Sequence, residues 1–413
     1  MGRTIWNIHL SNGINVLSLC LKLVWIFFIS FTCNALPNVP PLYNLKAFST
    51  YGIGYQVGLV GKDRIQTWFK SCEMQNVFNF AFGSGSGNDA FQQIKQDSAR
   101  LYPEYSEELE GIALGANVSS DMIWAMNMLS ELENLPDFKN DLVCRMENEA
   151  TNLSHPGHCT DVFVNSKCHG HNEDWSIALK PFFYFVTLTS IPRESTTCEI
   201  DLKGNYTFSD CGGLLYPGAI VAWAPAWAKK SGLYSTQNSL FPKKSLRYGV
   251  LSGFPQKKAI CESNNIDEAL EILSKNKWAE GASVNLVDAR GGGNNMANVE
   301  VHESTFSIYN VSKNYTHENM YKHKDMLDGV GKFDASSFYR QEALNSFETP
   351  SNCNDVEMML SDTSNSNYPV FRNITLTTMI LNLTTLNLNV WCCGKNAAQH
   401  DPVYQWDLSE WFT

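Results

Sequence analysis

The 413-residue chain has no surplus of basic residues: 42 Asp and Glu stand against 31 Lys and Arg, for a formal charge of −11. With no basic surplus to neutralise phosphates, the balance argues against nucleic acid as the main partner. Internal repeats and low-complexity tracts are missing too, which removes solenoid and disordered architectures. Long apolar runs are scarce. The main one, Leu23 to Phe31, falls short of the roughly 20 residues that span a bilayer. A looser span from Ile14 to Phe31 reads as a signal anchor, interrupted by Asn15, Ser18 and Lys22. Gly291-Gly292-Gly293 lacks a following Gly-Lys-Ser/Thr, so it reads as a tight turn and not as a phosphate loop.

What is present is globular. The residues are 44% hydrophobic, 18% charged and 12% aromatic, in a chain long enough for one large or two ordinary domains. Small residues at Cys33 and Ala35 behind the apolar run fit signal-peptide cleavage after Ala35, so residues 1–35 read as a signal peptide or, if retained, an anchor. Seven Asn-x-Ser/Thr sequons, at Asn117, Asn152, Asn205, Asn310, Asn314, Asn373 and Asn382, agree with secretion. Of twelve cysteines, Cys20 and Cys33 fall in the signal. Cys144, Cys168, Cys198, Cys211, Cys261, Cys353, Cys392 and Cys393 are candidates for disulfides in an oxidising compartment. The expectation is a disulfide-bonded glycoprotein, secreted or in the secretory lumen (extracellular or lysosomal), with no stable membrane role unless the leader is kept.

The first third of the mature chain is helical in pattern. Pro103 opens one helix with acids behind it, and Asp121 opens another whose Met128, Leu129 and Leu132 share a face. Ile65 to Phe69 and Asn76 to Phe82 are apolar clusters of undetermined type. From Cys159 the character changes to strands: Thr160 to Val164, Phe182 to Thr189, Gly218 to Trp223, Ala282 to Val287, Asn298 to Val301, and a final pair, Thr375 to Leu381 with Leu386 to Cys392. Helices return at Ile266 to Ser274 and Ser337 to Phe347. Helices first, then strands with interspersed helices, is α+β.

The most informative stretch runs from His155 through Cys159 to Trp175. A two-residue reversal at Ser166-Lys167 pairs Asn165 with Cys168 and, counted outward, Cys159 with Asp174; a wider turn moves the partner to about Ser176. A thiol at a new N-terminus is a nucleophile with its own base, since a free α-amine titrates near 8. Making one requires cutting His158–Cys159, and Pro156-Gly157 supplies irregular backbone there. Two other readings stay open on residue chemistry alone. His155, His158, Cys159, Cys168, His169 and His171 offer zinc ligands, though without the usual Cys-x2-Cys or His-x3-His spacing. A disulfide hairpin with polar turn histidines is the other. A papain-type pair is disfavoured because Val162-Phe163-Val164 is strand-like where a helix should follow the cysteine.

From about Tyr51 to Trp406 the chain resembles the acyl-coenzyme A:6-aminopenicillanic acid acyltransferase family of N-terminal-nucleophile hydrolases. The likeness rests on Pro103 to Ala116 with Asn127 and Glu131, and on Cys159-Thr160 with Gly170-His171-Asn172-Glu173-Asp174. It rests further on Gly232 to Leu240, on His317-Glu318-Asn319 and on Ser336 to Arg340. It implies a four-layer αββα sandwich, no cofactor and no metal. Cys159 would be the nucleophile, Asp174 and Arg340 active-site residues, and Asn238 an oxyanion donor. His158 stands where members commonly carry glycine. The implied product is a heterodimer of residues 36–158 and 159–413 within one folded unit. Its implied activity is hydrolysis of a small N-acyl amine through a thioester, of β-alanyl-amine type such as N-β-alanyldopamine or carcinine. Acyl transfer to an amine or thiol, and a non-catalytic secreted or zinc-binding protein, are the alternatives.

Overall fold

The computed structural model describes residues 39–140, 142–144, 159–243, 246–329 and 334–412. The leader, sequon Asn152, His155 and His158 lie outside the described residues. Six helices come first after a short strand: α1 (Thr50–Trp68), α2 (Cys72–Phe82), α3 (Ser86–Leu101), α4 (Pro103–Ala116), α5 (Ser120–Asn127) and α6 (Leu129–Glu133). Both undetermined apolar clusters are therefore helical. α1 and α4 cross at backbone contact. A Cβ on Gly54 or Gly58 would lie 2.1 or 2.2 Å from a carbonyl oxygen of α4, so only glycine permits that approach.

Two sheets carry the rest. The first sheet contains β1 (Leu42–Ala47), β4 (Tyr184–Ser190), β5 (Cys211–Leu215), β6 (Ala226–Ala228), β7 (Leu233–Leu240), β8 (Gly281–Asp288), β9 (Met296–His302) and β10 (Thr305–Asn310), in that spatial order. The second runs β11 (Tyr315–His317), β2 (Thr160–Val164), β3 (Cys168–Asp174), β12 (Thr375–Asn382), β13 (Asn387–Cys392) and β14 (Tyr404–Asp407). The expected strands and helices recur at Thr160–Val164 and Ile266–Ser274 with the same bounds. The last strand pair is not final, because β14 extends its sheet.

The sheets face each other. Phe185 of β4 meets Trp406 of β14 at 4.8 Å between ring centroids, and Trp227 of β6 meets the same ring at 5.8 Å. Side chains alternate along strands, so Tyr184 points the other way, to Gly61 of α1. α8 (Ile266–Ser274) packs on that outer face too, after the short α7 (Gly253–Lys257). The second sheet's outer face is covered by α9 (Ala335–Asn345) and α10 (Cys353–Leu360), before the terminal α11 (Ser409–Phe412). The layers are α, β, β, α, as the resemblance implies. Gly170 lets α10 sit on β3, since a Cβ there would meet Val356 at 2.3 Å.

Three differences from expectation have local causes. The run Gly218 to Trp223 is irregular, because Gly218 sits at φ 91° and Asn127 takes its backbone bonds: Nδ2 donates to the Gly218 carbonyl at 2.8 Å and Oδ1 accepts from Ile220 N at 3.1 Å. The helix from Asp121 breaks at Met128, which lies at φ −102° between α5 and α6. Cys72, absent from the disulfide candidates, pairs with Cys144; the other bridges are Cys168–Cys353 and Cys211–Cys261. Cys159, Cys198, Cys392 and Cys393 form no disulfide among the described residues.

Candidate functional site

Cys159 leads into β2 and is 5% exposed. The β2–β3 hairpin pairs Val164 with Cys168 and Thr160 with Asn172. Its turn holds three residues, with Ser166 left-handed at φ 59° and Lys167 N bonded to the Val164 carbonyl at 3.0 Å. The sequence reading put two residues in that turn. One extra residue shifts the register by one and exchanges the faces of the strand. Continuing the ladder, Cys159 lies opposite Glu173, and Asp174 turns to the helix-covered side.

The hairpin thus sorts its polar residues by face. Toward the first sheet lie Cys159, Asp161, His169, His171 and Glu173. Asp161 accepts from His169 Nε2 at 2.9 Å and from His171 Nδ1 at 3.0 Å, with the Thr236 hydroxyl of β7 as a third donor. His171 Nε2 reaches Glu173 at 2.9 Å, and the other Glu173 oxygen accepts from the Tyr216 hydroxyl. Burial pushes the His171 pKa down, but Asp161 and the hydrogen bonds to Asp161, Cys159 and Glu173 outweigh it and hold the imidazole well above its ordinary value. Burial raises Asp161, yet the two histidines hold it far below the carboxylate range. The Cys159 thiol is pushed up to about 11 by burial and then by the Glu173 charge, against the hydrogen bond from His171.

Toward α9 and α10 lies a second polar set. Arg340, fully buried on α9, donates from Nη1 to the Cys159 carbonyl and to Thr160 Oγ1, both at 2.6 Å. Its Nη2 reaches Asn319 Oδ1 and Ser337 Oγ at 3.0 Å. Asp174 pairs with Arg372 at 2.6 Å. The same face holds Asn172, which donates to the Leu360 carbonyl of α10. The structure therefore brings Arg340 to the Cys159 backbone and Asp174 to Arg372. Asn238 sits on β7, accepting from Asn285 at 2.9 Å and placing Nδ2 3.5 Å from the His317 carbonyl.

Sequence reasoning passed over Asp161, Glu173 and Tyr216 as site residues and offered His171 only as a zinc ligand. Period two within β3 already placed His169, His171 and Glu173 on one face; the register was the missing piece. The zinc reading is altered by the same bonds. Donor atoms of Cys159, His171 and Glu173 do come within 4.8 Å of one another. Both His171 nitrogens, however, face carboxylates, and an imidazolium has no lone pair for a metal. Cys168 is taken by its disulfide and His169 by Asp161.

Cys159 opens on a cavity of about 30 Å³, walled by Glu173, Tyr216, Trp223 and Gln237 with Glu280 and the first residues of α6, Leu129 and Ser130. That is room for a water-sized group. The site needs both the N-terminal helices and the chain after Cys159.

The profile of the family described as acyl-coenzyme A:6-aminopenicillanic acid acyl-transferase matches residues 164–386. The match includes Asp174, Asn238 and Arg340 and begins after Cys159. A β-alanyl-dopamine/carcinine hydrolase of Drosophila melanogaster is 23% identical over 350 residues, covering 81% of this chain and 85% of that protein. Among solved structures, a Caenorhabditis elegans N-acylethanolamine-hydrolyzing acid amidase ortholog aligns at a TM-score of 0.38 and 13% identity, over 60% of this chain and all of that one.

Proposed function

Because the chain belongs to the acyl-coenzyme A:6-aminopenicillanic acid acyl-transferase family, we propose that it is a self-processing cysteine amidohydrolase of β-alanyl-amine type substrates. It is an enzyme that cleaves amide bonds of small molecules. The observation that carries the reading is Cys159 at the head of β2, with its thiol on the cavity and its carbonyl held by Arg340.

In the proposed processing step, Cys159 sulfur loses its proton and attacks the carbonyl carbon of His158. The peptide C–N bond breaks as the Cys159 nitrogen takes up a proton, leaving a thioester that water hydrolyses. A thiol titrating at about 11 stays protonated at neutral pH while Cys159 is internal. The cut supplies an amine titrating near 8, which can accept the thiol proton. In turnover the sulfur then adds to the substrate carbonyl, the amine leaves with a proton, and water releases the acid. Asn238 is the side chain assigned to the oxyanion, and each such donor is worth about 2.7–4 kcal/mol in barrier. Asp174 with Arg372, and Arg340, fix the strand end that carries the sulfur.

The product would be a heterodimer of residues 36–158 and 159–413. Three disulfides suit an oxidising lumen, which supports secretion. The described sequons are exposed at Asn117, Asn205, Asn310 and Asn373 and half-buried at Asn314 and Asn382, so glycans can be carried there.

Incubation with N-β-alanyldopamine and carcinine, read by chromatography, tests the activity. Release of free amine by the wild type and none by Cys159→Ala supports it; no release from either substrate contradicts it. The family's transferase name gives a second reading, in which the thioester passes to an amine. Added acceptor amine then diverts product to a new amide in place of the free acid.

A further inference from the structure

Opposite Cys159 the cavity wall carries the Glu280 carboxylate, which no cation pairs among the described residues. Glu280, 3% exposed, lines it, and its Oε2 has no hydrogen-bond partner. Glu131, 1% exposed on α6, lies close enough to raise the pKa of Glu280, and its own Oε2 is likewise unpartnered. Glu131 Oε1 is fixed by Ser252 N at 2.8 Å. A third, uncharged acceptor points to the same space: Gln237 lines the cavity at 6% exposure with an unpartnered Oε1. Burying a carboxylate without a partner costs several kcal/mol, so such a set is stable only if protonated or if a ligand brings charge. Burial indeed holds Glu131 up to about 7 and Glu280 well above its ordinary value.

Among the described residues the protein's other buried cations face other groups, and the raised His171 imidazole lies between Asp161 and Glu173. Lys257 is paired with Glu108, Arg372 with Asp174, Arg64 with the Pro181 carbonyl, and Arg340 with the Cys159 carbonyl. The cavity of about 30 Å³ that Cys159 and Glu280 share has room for a small polar head group.

We infer that Glu280, Glu131 and Gln237 form a subsite for a primary ammonium group on the acyl part of the substrate. An ammonium offers three N–H donors, enough for the unpartnered Glu280 and Gln237 oxygens on the cavity wall, with the Glu131 charge behind them. The subsite deepens the proposed amidase reading and rests on it for the position of the reacting carbonyl at Cys159. It selects acyl groups that end in a protonated amine over neutral acyl groups of the same length. Because Glu131 comes from the chain before Cys159 and Glu280 from the chain after it, both proposed fragments would contribute.

Equilibrium binding tests this without requiring turnover. β-Alaninamide carries the ammonium and butanamide is its neutral counterpart of the same length. Calorimetric titration of the purified wild type is expected to show β-alaninamide binding roughly tenfold to a hundredfold tighter, the range of a hydrogen bond to a charged group. Glu280→Gln, which keeps the shape, is expected to remove most of that preference and leave butanamide unchanged. Glu131→Gln is the second variant, with the same expected direction. Equal affinity of the two amides for the wild type overturns the inference, as does a preference that survives both substitutions. Equal affinity would also follow if these carboxylates serve only the terminal ammonium of Cys159 itself. The amidase reading is judged separately by amine release, so either can fail alone.

Discussion

Arg340 Nη1 donates to the Cys159 carbonyl oxygen at 2.6 Å across 181 residues of chain, from a helix on the outer face of the sheet whose inner face carries the thiol. The guanidinium therefore sets where the strand begins without touching the sulfur. Its surroundings lower its pKa to about 10, first through burial and then through Arg372.

Arg340→Met would strand the Cys159 carbonyl and Thr160 hydroxyl, at about 1–3 kcal/mol for each buried group. A shift of the nucleophile by about 1 Å costs on the order of a hundredfold in rate. Amine-release kinetics should show kcat/KM falling by about that factor, with the thermal midpoint also lowered. A variant as active as wild type would remove Arg340 from the account.

The disulfides predict how the fragments separate. Cys72–Cys144 lies wholly before the proposed cut, and Cys168–Cys353 and Cys211–Cys261 wholly after it. After cutting, two bands should appear on a denaturing gel without reductant. A single band that splits only on reduction would show a bridge between the fragments.

The Asp161–His171 pair predicts a pH window. His171 is raised in the fold from its ordinary 6.5, so its contribution to stability is complete below 6.5 and is lost as pH rises through the raised value. Asp161 is depressed from 3.8, so its contribution is present above 3.8 and lost as pH falls through the depressed value. Both are complete between about pH 4 and 6.5. Thermal midpoints of wild type and His171→Gln should differ most in that window and converge toward alkaline pH. A difference independent of pH would contradict the charged pair.

Glu131 runs the other way in mutation. Its pKa rises from 4.5 to about 7 by burial, so ionising it destabilises the fold as pH climbs through that range. Glu131→Gln should match wild type near pH 4.5 and exceed it near pH 8, by up to about 3 kcal/mol. Denaturant titrations at the two pH values measure this; equal stability at both would deny the burial cost.

Much of the fold was legible because period and length were strong signals at β2 and α8, and the β-branched run after Cys159 excluded a helix. The hairpin register was not legible. Its turn, made by Ser166 in a left-handed conformation, carries no Asn-Gly or Gly-rich signal and takes in one further residue, Asn165. That single residue decides whether Glu173 or Asp174 shares a face with the sulfur. The carboxylates around Glu280 were hidden for another reason, since α6 and the start of β8 meet only through packing. Gly218 to Trp223 looked like a strand because its apolar run says nothing of Asn127, about ninety residues earlier, which takes its backbone bonds.

The central claim is that the chain cuts itself at Cys159. N-terminal sequencing of the purified mature protein and of Cys159→Ala tests it most directly. The account predicts two wild-type chains, the larger beginning Cys-Thr-Asp, and one uncut chain in the variant. A wild-type chain that runs intact through Cys159, indistinguishable from Cys159→Ala, would contradict it.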